Sequence, residues 1–113
     1  MPSAATQSAE ALQVAASASE MMERATEAAA LLKALGHEGR LMILCHLSEG
    51  EKSVTELENR LGLRQAAVSQ QLARLRAEGL VACRRDGKTI YYSIADARVA
   101  QLIVTLYGLF CGV

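Results

Sequence analysis

The sequence predicts a mainly α-helical fold completed by a β-hairpin, and three observations carry that prediction. Apolar residues recur at helical spacing in five separate stretches. Glycines stand where four of those stretches stop, at Gly36, Gly50, Gly62 and Gly79. Between Gly79 and Asp96 the pattern changes to two runs rich in β-branched and aromatic residues around Asp86-Gly87. Read in order this gives α-α-α-α-β-β-α, and residues 53–94 within it have the layout of a winged helix-turn-helix. Two short helices meet about a glycine turn, and a basic hairpin follows as the wing.

Residues 1–18 are rich in Ala, Ser and Gln with few large apolar side chains, so they predict a mobile N-terminal tail, or else a fraying helix. The domain itself is then 19–113. Ser17 with Glu20 has the form of a capping box, and Met21, Ala25, Ala28, Ala29, Leu32 and Leu35 carry a first helix to Gly36. His37 falls at the turn that follows. A second helix, about Glu38 to Leu47, puts Leu41, Leu44 and Cys45 on its core side.

Ser53 and Glu56 form a further capping box and open a third helix that turns Val54, Leu57 and Leu61 inward before Gly62 breaks it. The fourth helix runs from about Gln65 to Glu78, burying Val68, Leu72 and Leu75 and leaving Ser69, Gln70, Gln71 and Arg74 outward. Arg64 stands where a capping side chain is usual, and it offers none. Leu80 to Arg85 and Lys88 to Ile94 are two strands, with Asp86-Gly87 suited to a type I′ turn. Asp96 caps a last helix, Ala97 to about Phe110, which is apolar nearly all round. Such a helix needs cover on both sides. In a chain of 113 residues that predicts a homodimer through the first and last helices, with Leu102, Ile103, Leu106 and Phe110 in the interface.

A formal net charge of zero conceals segregation, because residues 60–88 hold seven Lys and Arg against two acids while residues 1–59 hold four against nine. It is the local field that meets a phosphate. The basic stretch coincides with the helix pair and the hairpin, which identifies double-stranded DNA as the partner. A dimer with two reading heads suits a palindromic site. Ser69, Gln70 and Gln71 have the chemistry to read base edges, and Gln65 lies on the same helix. Arg64, Arg74, Arg85 and Lys88 suit phosphates, although any one of them reads equally well as a solvated surface charge.

The sequence contains no apolar run long enough to span a membrane and no leader-like start, so a soluble cytoplasmic protein is expected. No nucleophile-base constellation marks an enzyme, and no cofactor motif is present. The three cysteines are odd in number and widely spaced, which excludes a disulfide framework. Taken alone, Cys45 and Cys111 read as small hydrophobes of the core.

The order of elements, together with Ala67-Val68-Ser69-Gln70-Gln71-Leu72 and Glu78-Gly79-Leu80-Val81, resembles the ArsR/SmtB family of bacterial winged-helix repressors over about residues 28–111. Arg40-Leu41-Met42-Ile43-Leu44-Cys45 and Leu106-Tyr107-Gly108-Leu109-Phe110-Cys111 resemble its persulfide-sensing BigR/SqrR branch. That resemblance implies a repressor whose sensing thiols are Cys45 and Cys111, with persulfide or polysulfide donors as inducers. Bridging the pair would release the operator. At least one thiol should then be partly exposed with a depressed pKa, Arg40 and His46 being the nearby cationic candidates. Cys83, on the first wing strand, receives no role.

Metal-sensing members of the family carry thiolate or imidazole ligand sets that are missing here. Thr55-Glu56-Leu57-Glu58 stands at one such position, and the last helix holds no histidine. The alternatives are a repressor that senses peroxide or another oxidant by a disulfide, one that senses a metal ion through Cys45, His46 and Cys111, and a winged-helix interaction module without a regulatory role.

Overall fold

The computed structural model describes the backbone of residues 4–112 and the side chains of residues 18–112. The elements are α1 (Ala4–Leu35), α2 (Glu38–Ser48), β1 (Lys52–Ser53), α3 (Val54–Leu61), α4 (Gln65–Ala77), β2 (Val81–Asp86), β3 (Thr89–Ile94) and α5 (Ala97–Phe110). The chain divides into two compact units, Met1–Lys33 and Ala34–Val113.

Helix α1 begins at Ala4, so the helix expected to open near Ser17 is thirteen residues longer, and Ser17 lies inside it. The reason is compositional. Alanine carries the highest helix propensity, and it dominates the stretch before Ser17. Met21 and Leu32, from the stripe expected to face a core, are exposed, as is Met22 beside them.

In the second unit the core is built from Ile43, Leu44 and Leu47 of α2, Leu57 of α3, Val68, Leu72 and Leu75 of α4, Val81 of β2, and Val99 and Ile103 of α5. Each sits where the helical or strand period brings an apolar residue to the same side. Helix α2 starts at His37, whose Nδ1 accepts the backbone N–H groups of Gly39 and Arg40 at 3.1 and 3.4 Å. The imidazole at the turn after Leu35 thus caps the helix. The capping box at Ser53 forms in full. Ser53 Oγ accepts the Glu56 N–H at 3.1 Å, and Glu56 Oε1 accepts the Ser53 N–H at 3.2 Å.

Gly62 ends α3 in the left-handed region, at φ 66°, which a residue with a Cβ adopts only at a cost. Helix α4 follows after two residues, and Arg64 at its N-cap makes no side-chain capping bond.

The sheet departs from the expected hairpin in two ways. It has three antiparallel strands in the order β1-β3-β2, because Lys52 and Ser53 pair with Tyr92 and Tyr91. A two-residue strand is too short to leave an alternating pattern in the sequence. The turn also lies one residue later than expected. Asp86 pairs with Thr89, so Gly87 and Lys88 are the central residues and Lys88 belongs to the turn. Gly87 alone has positive φ (63°), whereas a type I′ turn needs it at both central positions. Glycine at the first of the two is the arrangement of a type II′ turn.

Candidate DNA interface and thiol pocket

Helix α4 presents a narrow set of side chains. With Val68, Leu72 and Leu75 buried, the opposite face of α4 carries Ala66, Gln70, Ala73 and Ala77, flanked by Ser69, with Gln65 in the first turn at the edge of the core face, and all six are exposed. The three alanines leave Gln70 as the longest group at the centre of that face. The backbone can therefore come close to whatever it meets, with Gln70 reaching ahead.

Gln71 does not share the outward position expected for it. It is half-buried, and its Oε1 accepts a hydrogen bond from an Arg40 guanidinium nitrogen at 3.2 Å. Helical phase explains this, since a residue three beyond Val68 lies at the edge of the core face rather than opposite it. Arg74 is exposed but pairs with Glu78 at 3.3 Å, a contact that a phosphate could replace at little expense. Arg64, Arg85 and Lys88 are exposed and carry no ion pair among the described residues.

The wing is held at its base. Arg84 donates two hydrogen bonds to the Glu51 carboxylate, at 2.7 and 2.6 Å, and its guanidinium lies 4.8 Å from the ring centre of its cross-strand partner Tyr91. The hydrogen bonds from Arg84 hold the Glu51 carboxyl below its ordinary range. Arg84, engaged in this way, anchors the strand, and Arg85 and Lys88 remain towards the tip.

On the other side of α2, Leu41, Met42, Cys45, Ile103, Leu106, Tyr107, Phe110 and Cys111 line one pocket of about 420 Å³ between α2 and α5. Cys45 and Cys111 therefore share a cavity, although 66 positions separate them in sequence. Cys45 is half-buried and Cys111 exposed. Burial pushes the Cys45 thiol up from its ordinary pKa, a hydrogen bond with the Tyr107 side chain acts in the opposite direction, and the nearby Cys111 adds a further upward push. The expected depression is thus reversed at Cys45. Its supposed cationic neighbours do not supply one, because Arg40 turns to Ala34 and Gln71, and His46 has its Nδ1 buried without a hydrogen-bond partner.

Tyr107 escaped attention as a partner for Cys45, yet its position four residues before Cys111 signals a shared helix face. Its own hydroxyl is pushed up in pKa, chiefly by Cys45. Cys83 stands on β2 opposite Tyr92, half-buried, and is not among the residues lining this pocket.

The residues expected at a dimer interface divide. Ile103 is 1% exposed and fills the chain's own core, Leu102 and Leu106 are half-buried, and Phe110 is 82% exposed. Val104 and Leu109, at 72% and 71%, join Phe110 as large apolar side chains left exposed among the described residues. Among the described residues no helix is long and apolar enough to cross a membrane.

Three comparisons with known proteins agree with this architecture. The family described as "Bacterial regulatory protein, arsR family" matches residues 37–82. The "Biofilm growth-associated repressor" of Agrobacterium fabrum is 52% identical over 91 residues, a span of 80% of this chain and 78% of that protein. The crystal structure of the transcriptional repressor BigR from Xylella fastidiosa superposes with a TM-score of 0.80 at 49% identity, covering 82% of this chain and 95% of that one. The reduced form of HlyU from Vibrio cholerae gives 0.78 at 44% identity, over 81% and 97%.

Proposed function

Since the chain belongs to the arsR family of bacterial transcriptional regulators, we propose that it is a cytoplasmic homodimeric repressor that releases a palindromic operator when reactive sulfur bridges Cys45 and Cys111. One observation carries the sulfur reading: both thiols line the same apolar pocket between α2 and α5. In the proposed complex Gln70 and Ser69 read base edges, Gln65 supports them, and Arg64, Arg74, Arg85 and Lys88 meet phosphates. The exposed apolar end of α5 pairs with a second copy.

The chemistry balances without a further oxidant. The exposed Cys111, as thiolate, attacks a polysulfide donor, takes up two of its sulfur atoms and releases the remainder as a thiol. The Cys45 thiolate then attacks the sulfur next to Cys111 Sγ, expelling hydrosulfide and leaving a three-sulfur bridge. A donor that transfers only one sulfur leaves a two-sulfur bridge by the same displacement. Either bridge ties α2 to α5, and release follows if the tied dimer fits DNA less well. The raised pKa of Cys45 suits it to the second step, where the partner is already delivered into the pocket.

Intact-mass measurement after treatment with a polysulfide donor tests this. The expected product has Cys45 and Cys111 joined with added sulfur and has lost operator affinity. Cys45→Ser and Cys111→Ser should each bind DNA and fail to release it, while Cys83→Ser responds as the wild type does. Release by both single variants would remove the thiols from the mechanism.

A further inference from the structure

Arg40 is 9% exposed, and two of its hydrogen bonds reach different elements. Its Nε donates to the Ala34 carbonyl at 2.7 Å, and its terminal nitrogen donates to Gln71 Oε1 at 3.2 Å. The first bond satisfies a carbonyl in the last turn of α1, where helices leave their acceptors open. The second crosses from α2 to α4, and it is charge-assisted and part-buried, so leaving either partner unmatched carries a cost. Cys45 lies five residues further along α2, about 7.5 Å of helix rise from Arg40. Gln71 lies next to Gln70, the residue at the centre of the exposed face of α4.

The geometry points to the Arg40–Gln71 hydrogen bond as the link that transmits the state of the Cys45 pocket to the reading helix, with Arg40 and Gln71 acting as positioning residues and not as base readers. This rests on the reading above that Cys45 is the regulatory thiol. A shift of α2 caused by a change at Cys45 must either carry Gln71 with it, turning α4, or break a part-buried bond to a guanidinium. Both change the face of α4 that meets DNA. Coupling of this kind is reciprocal, so DNA bound to α4 must also alter the surroundings of Cys45.

That reciprocity allows a test without sulfur chemistry. A duplex is first selected by the reduced wild-type protein from a random-sequence pool. The rate at which iodoacetamide alkylates Cys45 is then followed by mass spectrometry of the tryptic peptide 41–52, with and without saturating duplex. Wild type should show a change of at least about threefold in that rate on DNA binding, because the bound duplex alters the surroundings of Cys45. Gln71→Ala should abolish that change, and Gln71→Glu, which keeps an acceptor for Arg40, should retain it. Arg40→Lys, which cannot hold both acceptors in one plane, should abolish it as well.

An equal change in wild type and Gln71→Ala would overturn the proposal, as would no change in wild type. A folded Gln71→Ala that loses its preference for the selected duplex while keeping the Cys45 response would return Gln71 to base reading. If coupling is present but polysulfide releases no DNA, the link stands and the sulfur reading falls.

Discussion

Tyr107 on α5 lines the same pocket as Cys45 on α2, and its hydroxyl, through hydrogen bonding, is the one influence on that thiol that favours the thiolate. Burial and the neighbouring Cys111 both act against ionisation. The reactivity of the pocket therefore depends on a hydroxyl that contributes no sulfur.

Tyr107→Phe removes that hydrogen bond and should raise the Cys45 pKa further, since the only opposing influence is lost. A bond worth about 1 kcal/mol implies roughly fivefold slower alkylation of Cys45 at neutral pH. The pH-rate profile should move to higher pH, because a higher pKa means that the thiolate appears later. An unchanged profile would deny Tyr107 this role.

Gln70→Ala and Lys88→Ala should separate reading from positioning. Loss of Gln70 is expected to cost about 1–3 kcal/mol on the preferred duplex and little on random DNA. Loss of Lys88 should weaken both alike and lower the slope of log affinity against log salt by about one. Titrations at several salt concentrations distinguish the two patterns, and equal losses for Gln70→Ala would take it off the base edges.

Leu109→Glu and Ile103→Glu differ in what they test. Leu109 is exposed in the single chain, so a charge there leaves the core intact and should give a folded monomer in sedimentation. Ile103 lies within the core, and a charge there should unfold the chain whatever the oligomeric state. A Leu109→Glu protein that sediments as a stable dimer would place the interface elsewhere.

Asp96 caps α5 by accepting the Arg98 N–H at 2.9 Å, and the Arg98 side chain pairs with it at 2.7 Å. Asp96→Ala should cost about 0.5–2 kcal/mol in chemical denaturation. The Arg98 hydrogen bond holds the Asp96 carboxyl below its ordinary range. A depressed folded pKa contributes stability that is present above the unfolded value and lost as pH falls through the folded one. The variant and the wild type should therefore converge in stability at acid pH, and a constant gap would exclude the charge as its source.

Much of this arrangement was legible in the sequence, for identifiable reasons. The capping box at Ser53, the left-handed Gly62 and the cap at Asp96 depend on residues close in the chain, and local chemistry determines them. The fold class followed from those signals together with the helical periods. Strand β1 was missed because two residues carry no period, and the hairpin turn was misread because Asp86-Gly87 and Gly87-Lys88 both offer glycine a central position. The helical phase of Gln71 placed it at the edge of the core face, but its partner was not legible, since Arg40 lies 31 residues away. The direction of the Cys45 pKa depends on burial and on Tyr107, neither of which the helix pattern of α2 contains.

Ser53 belongs to two structures at once, pairing with Tyr91 in the sheet and capping α3 through its hydroxyl. The wing and the helix pair are thus joined at a single residue and not by a slack connector. Their separation acts as a caliper set when the chain folds, so the conformational entropy of aligning two contacts is spent before DNA arrives. A caliper of that kind tolerates little variation in groove width between the bases under α4 and the phosphates under the wing. Sequences that stiffen or narrow the groove at that point should be discriminated even where no side chain touches a base.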